Sequence, residues 1–230
     1  LLILTLNFYF YLLQTSNKIQ PDMQKILVHT DFSKPAIIAT EVAADIAKRS
    51  GAEIILLHVV EGASEQSINV EGEATYEGSW EDKIFTLKLI EKAKKQLAKA
   101  VADTKLEGVK VKQELRIGTP FHGMNAIISE RKVYLVVMGT SGRSGLEQMI
   151  IGSNTEKVVR NAHCPVLTVQ NKPASKNFKD IVYATSMSKD EEVFSRIVRN
   201  TQKIYDSTIH LVRINTPGNF QRDAEVKKYM

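Results

Sequence analysis

Between Val133 and Asn161 the chain reads Val-Tyr-Leu-Val-Val-Met, then Gly139, Gly142 and Gly152, then Ser153-Asn-Thr-Glu156. No other stretch restricts the fold as much. A short, nearly unbroken apolar run is a strand buried on both faces, which points to a parallel strand inside an α/β sheet. Ser153-x-x-Glu156 has the form of a capping box, so a helix is predicted from there through Asn161. Strand, glycine-rich loop and capped helix start together place bare backbone N–H groups and a positive helix end at the carboxyl edge of the sheet. Such an edge binds anions, and phosphate is its usual occupant.

The chain keeps this alternation from residue 25 to residue 170. Strands are predicted over 25–30, 53–60, 109–117, 133–138 and 166–170, and helices over 35–50, 80–103, 120–131 and 153–161. Thr119-Pro120 supplies an N-cap followed by proline at the first helical position. The polar, glutamate-rich stretch 61–79 reads as a loop. Strands alternating with helices in this way predict an α/β fold, a doubly wound five-stranded parallel sheet. In that architecture ligands bind beyond the strand carboxyl ends where the connections reverse direction, and Asp31 and Gly139 both fall at such ends.

The spacing Gly139-x2-Gly142-x9-Gly152-Ser153 departs from the common phosphate and nucleophile motifs. Ser144 stands where Walker A needs its second glycine, and Gly142-Arg-Ser-Gly145 is one residue short of a nucleophile elbow. The spacing instead resembles the Gly-x2-Gly-x9-Gly-[Ser/Thr] of ATP-binding members of the universal stress protein family, which follows their fourth strand. Lys25-Ile-Leu-Val-His-Thr-Asp-Phe-Ser33 is similar to that family's first strand and its aspartate, and Ile54–Val59 to its second strand. The resemblance covers 25–170 and implies an adenine nucleotide alpha hydrolase-like sheet that binds ATP, with or without Mg. By position, it implies that Asp31 and the backbone of Val59 face the adenosine part, with Met138 and Gly139 flanking it. Gly142, Gly152, Ser153 and Asn154 would hold the phosphates. His29 stands at the adenine contact, where nucleotide-binding relatives often carry proline.

The implied function is a cytoplasmic stress-response sensor or regulatory module. The sequence offers no dedicated carboxylate pair and no evident base to align a water, so any ATP hydrolysis would be slow; no catalytic residue is assigned. A slow nucleotide hydrolase of the same fold, or a dimerising scaffold without nucleotide, are the alternatives. The glycine set argues against the scaffold.

Composition excludes other classes. With 43% hydrophobic and 25% charged residues and a net charge of +5, the chain is of ordinary globular type. Lys83, Lys88, Lys92, Lys94, Lys95 and Lys99 share one predicted helix whose apolar stripe is Ile84, Leu87, Ile90, Leu97 and Val101. These lysines are expected on the solvated side and, with no run of aromatics beside them to stack bases, predict no nucleic-acid partner. The single cysteine, Cys164, cannot form an internal disulfide and fits a reducing compartment; between His163 and Pro165 it reads as packing. The five histidines lack metal-ligand spacing, and His58, inside an apolar strand, reads as packed and hydrogen-bonded. The apolar run 1–13 is too short to span a bilayer and lacks the basic start and cleavage site of a signal peptide. Residues 1–22 are read as an upstream extension outside the fold, and no membrane partner is expected.

After a linker at 171–179 the opening pattern returns at a constant offset of 155 residues, Ile26 to Ile181 and Ile54 to Ile209. Repetition across strand, helix and strand signals duplication. The resemblance then implies a tandem chain, with one domain at 23–170 and a second, truncated one at 180–230. Modules would pair through the last strand, Val166–Val169, within a tandem chain or between copies. Ser186 takes the place of Asp31, so the second copy is not expected to bind nucleotide in the first one's manner.

Overall fold

The computed structural model describes residues 3–5, 24–61, 80–103, 106–140, 153–175, 177–184 and 192–213. Ile3–Lys172 form one unit and Pro173–Met230 fall in another. In the first, the strands are β1 (Ile3–Thr5), β2 (Lys25–His29), β3 (Glu53–Val60), β4 (Val111–Ile117), β5 (Leu135–Gly139) and β6 (Val166–Val169). The helices are α1 (Lys34–Ser50), α2 (Trp80–Val101), α3 (Pro120–Arg131) and α4 (Ser153–Asn161). The sheet order is β1-β6-β5-β2-β3-β4, and β6, β5, β2, β3 and β4 run parallel. This is the predicted doubly wound five-stranded parallel sheet.

Burial follows from strand position. Ile26, Leu27 and Val28 of β2 are all buried, as a central strand with helices on both faces requires. Alternate residues Leu27, Ile55, Leu57, Val136 and Met138 share a core with Met124, Ile127 and Ile128 of α3 and Val158 of α4. Truncating one of these large side chains to alanine costs about 2–5 kcal/mol. On the sheet, α1 packs against β2, β3, β5 and β6, and α2 against β3 and β4. Local chemistry sets the helix ends. Ser33 caps α1 by accepting from the Ala36 N–H, and Gly51, at φ 74°, closes it. Thr119 and Pro120 start α3 where predicted.

Lys132 ends α3 in the left-handed region, φ 52°, with its N–H donated to the Ile128 carbonyl. A side chain there costs about 1 kcal/mol that glycine avoids. Lys132→Gly is therefore expected to raise the urea midpoint by an amount equivalent to about 0.5–1 kcal/mol. An unchanged or lower midpoint would contradict this account of the cap.

Two expectations need correction. Residues 1–22 do not stand wholly outside the fold, because Ile3–Thr5 adds to β6 as an antiparallel edge strand. It uses the ladder groups of Val166–Thr168, the edge expected to meet another module. In α2 the buried residues are Thr86, Ala93 and Leu97, whereas Ile84 and Leu87, expected in the apolar stripe, are exposed. The helix turns a different face to the sheet than its hydrophobic spacing suggested.

In the second unit, β7 (Asp180–Ala184) pairs in parallel with β8 (Thr208–Val212), and α5 (Glu192–Tyr205) lies between them in sequence. The starts of β7 and β8 and the end of α5 each fall 155 residues after their counterparts in β2, β3 and α1. Asp206, at φ 51°, occupies the left-handed helix-end position that Gly51 fills in the first unit.

Candidate functional site

Connections run from β2 through β3 to β4, and then α3 carries the chain back to β5 on the other side of β2. The reversal point is thus the gap beyond the carboxyl ends of β2 and β5. There the chain makes a tight turn, Thr30-Asp31-Phe32-Ser33, before entering α1.

That turn is held on three sides. The Thr30 N–H donates to the Leu57 carbonyl at 2.8 Å, extending the β2–β3 ladder. Nδ1 of His58 lies 2.7 Å from the Thr30 carbonyl oxygen. A carbonyl only accepts, so Nδ1 carries the proton of this contact. The Phe32 N–H donates to Thr30 Oγ1 at 3.0 Å, and its backbone sits in the left-handed region at φ 63°. Its ring lies against the His58 imidazole, centroids 4.5 Å apart. On the β5 side, a Cβ on Gly139 would come within 2.4 Å of the Pro35 carbonyl carbon and 2.6 Å of the Ala36 nitrogen. The missing side chain lets the first turn of α1 lie directly on the end of β5.

Asp31 is the exposed carboxylate of this turn. Its Oδ1 accepts from the Ser33 N–H at 2.9 Å, so it stabilises the turn as well as facing solvent. Partial burial pushes the Asp31 carboxyl up, but bonds from Ser33 and from its own N–H, with His29 nearby, leave it below the ordinary aspartate value. His29 pairs in register with Leu57 and Met138. Burial drives its pKa down to about 4, against the pull of Asp31 and with a further push from His58, so at neutral pH the imidazole is uncharged.

The other predicted positions divide. The Val59 and Met138 side chains are buried in the core under α3 and α4, so only their backbones remain for a ligand. Gly139 meets α1 rather than open space. Asn154 is half-buried in the first turn of α4, which opens at Ser153, and Glu156 accepts from Arg160 at 2.9 Å. Gly142, Gly152 and the Ser153 side chain lie outside the described residues. Spacing alone could not disclose the roles of Thr30, Phe32 and His58, because the His58 contact spans 28 residues of sequence. Cys164 is buried, and burial pushes its thiol up to about 12, which keeps it protonated and unreactive.

A parallel sheet with a carboxylate turn and a glycine-closed strand at its reversal point defines a doubly wound α/β module. The model of the universal stress protein family matches residues 23–170. Universal stress protein MJ0531 of Methanocaldococcus jannaschii is 35% identical over 147 residues, 64% of this chain and 82% of that one. MJ0577 of the same organism is 30% identical over 156 residues, 65% of this chain and 96% of that one. Its solved structure covers 67% of this chain with a TM-score of 0.51. A universal stress protein from Archaeoglobus fulgidus, 18% identical, shares the fold over 90% of this chain and 72% of its own, with a TM-score of 0.67. The chain belongs to the universal stress protein family.

Proposed function

We propose that residues 23–170 bind an adenine nucleotide, with ATP as the ligand, and that the chain serves as a nucleotide-dependent sensor or regulatory module in a stress response. The observation that carries this reading is the clamped Asp31 turn at the reversal point, between His58 and the glycine-closed end of β5. The donor set suits the ligand. Asp31, ionised at neutral pH, is an acceptor for the hydroxyls of a ribose, and the α4 N-terminus with Ser153 and Asn154 offers N–H groups to phosphate. Gly142 and Gly152 would let the loop backbone approach the phosphates. Bound ATP would supply the polyanion that these groups offset, and Mg would accompany it through the phosphates. A low-pKa carboxylate already engaged by Ser33 is a poor general base, which favours binding over efficient catalysis.

The organisation we propose is a tandem one, supported by element bounds that repeat at 155 residues; pairing of modules through β6 would require β1 to leave that edge. A cytoplasmic location suits the single, buried, unpaired cysteine.

Thermal unfolding with and without ATP tests the site. At 100 times the dissociation constant, ATP is expected to add about 2.7 kcal/mol, a rise on the order of 5–10 °C in Tm. Gly152→Val should remove that gain by keeping the loop backbone from the phosphates. An equal gain in the variant, or none in the parent, would overturn the assignment.

A further inference from the structure

The outward side of α2 carries two features that packing on the sheet does not use. Trp80, Ile84 and Leu87, spaced as one helical row, are 78%, 49% and 61% exposed. Beside them Lys88, Lys92, Lys95 and Lys99 form a second row, also exposed. These lysines, with Glu91 and Gln96, border a shallow open depression of about 420 Å³. On the opposite flank of the apolar row stand Lys83, whose Nζ lies 5.5 Å from the Trp80 ring centroid, and Lys94. The side turned to the sheet is the one bearing Thr86, Ala93 and Leu97. From Trp80 to Val101 the helix holds six lysines against three acidic residues, Glu81, Asp82 and Glu91.

An exposed apolar row with lysines on both flanks is the pattern of a helix that lies in a lipid interface. We propose that the outward face of α2 docks on an anionic lipid surface, with Trp80, Ile84 and Leu87 entering the boundary between headgroups and acyl chains and the lysine rows meeting the lipid charges. This is surface attachment: no described helix is long and apolar enough to cross a membrane. Charge complementarity selects this occupant. A second copy docked by two-fold symmetry would set the lysine rows of the two helices against each other. Nucleic acid would satisfy the lysines but give Ile84 and Leu87 no role, since it is aromatic faces that stack on bases. Each lysine near an anionic bilayer contributes about 1 kcal/mol, roughly a fivefold gain in partitioning, and the apolar row adds hydrophobic insertion.

The chain contains one tryptophan, so the emission of Trp80 reports this face directly. The full chain should show solvent-exposed tryptophan emission alone. It should shift to the blue and co-sediment with vesicles of phosphatidylcholine mixed with phosphatidylserine, but not with vesicles of phosphatidylcholine alone. Binding should weaken as added salt shortens the Debye length to about 8 Å. Lys88→Gln with Lys92→Gln should lower partitioning about 25-fold. Leu87→Ser should weaken it without altering the salt dependence. All three substitutions are at exposed positions, and far-UV circular dichroism checks that the variants fold. The proposal is overturned if mixed vesicles produce no shift, or if the protein alone already shows buried-tryptophan emission. It also falls if the shift follows protein concentration without lipid, if duplex DNA reproduces it, or if the double variant binds as the parent does.

Discussion

Replacing Gly139 by alanine is expected to lower the stability of the first unit by about 3 kcal/mol or more, among the larger effects a single methyl can have. The added Cβ would meet three backbone atoms of Pro35 and Ala36 at 2.4–2.6 Å, and backbone at the start of a capped helix cannot rotate aside. The first turn of α1 has to lift, taking with it the Ser33 cap and the Asp31 turn. The variant should therefore lose ATP-dependent stabilisation along with stability. Gly123→Ala offers the comparison. There the new Cβ would approach the Val59 Cγ2 methyl at 2.9 Å, so one side chain has to shift, a smaller displacement than lifting the backbone of a helix start. Alanine also gains up to about 1 kcal/mol over glycine inside a helix. Urea midpoints should place Gly123→Ala within about 1 kcal/mol of the parent, far above Gly139→Ala. Similar losses at the two positions would show that the α1–β5 approach is not the constraint described.

Acid should begin to destabilise the first unit as pH falls below 6.5, through His29. The folded His29 pKa, about 4, lies below the ordinary histidine value of 6.5. As pH falls through 6.5 the unfolded chain takes up the proton and the folded chain does not, so stability declines until pH reaches about 4. The full loss amounts to up to about 3 kcal/mol. Asp31, whose folded pKa is also lowered, contributes stability that is present above its unfolded pKa and lost as pH falls through the folded value. The two windows are therefore separate. His29→Gln should flatten the urea midpoint across the histidine window and leave the more acidic loss in place. A variant that retains the parent's slope would mean that His29 is not the group responsible.

Local chemistry made much of the fold legible. Thr119-Pro120 marks a helix start with short-range signals, and the structure opens α3 where they stand; α4 begins at Ser153, the edge of the described residues, with Glu156 bonded to Arg160. The β3 bounds coincide with the apolar run 53–60, because a strand buried on both faces has few polar residues to blur its ends. The 155-residue offset is visible as spacing alone, and a left-handed helix end stands at both positions, Gly51 and Asp206.

For the candidate site the sequence offers only a list of positions, and the surroundings of His29, Asp31 and Gly139 came from packing. The glycine motif marks Gly139, but spacing cannot distinguish a glycine that approaches a ligand from one that admits a neighbouring helix; the Pro35 backbone makes it the latter. Nothing around Phe32 announces a left-handed backbone, because its support comes from Thr30 and from a histidine on the next strand. The apolar spacing of α2 suggested one buried stripe, yet a helix seated on two strands buries only the arc that meets them, and Ile84 and Leu87 fall outside it. Caps and strand runs depend on residues a few positions apart, so the sequence alone determined them. The clamp on Asp31, the neutral state of His29 and the exposed face of α2 depend on groups brought together from distant segments, and only the tertiary structure decided those.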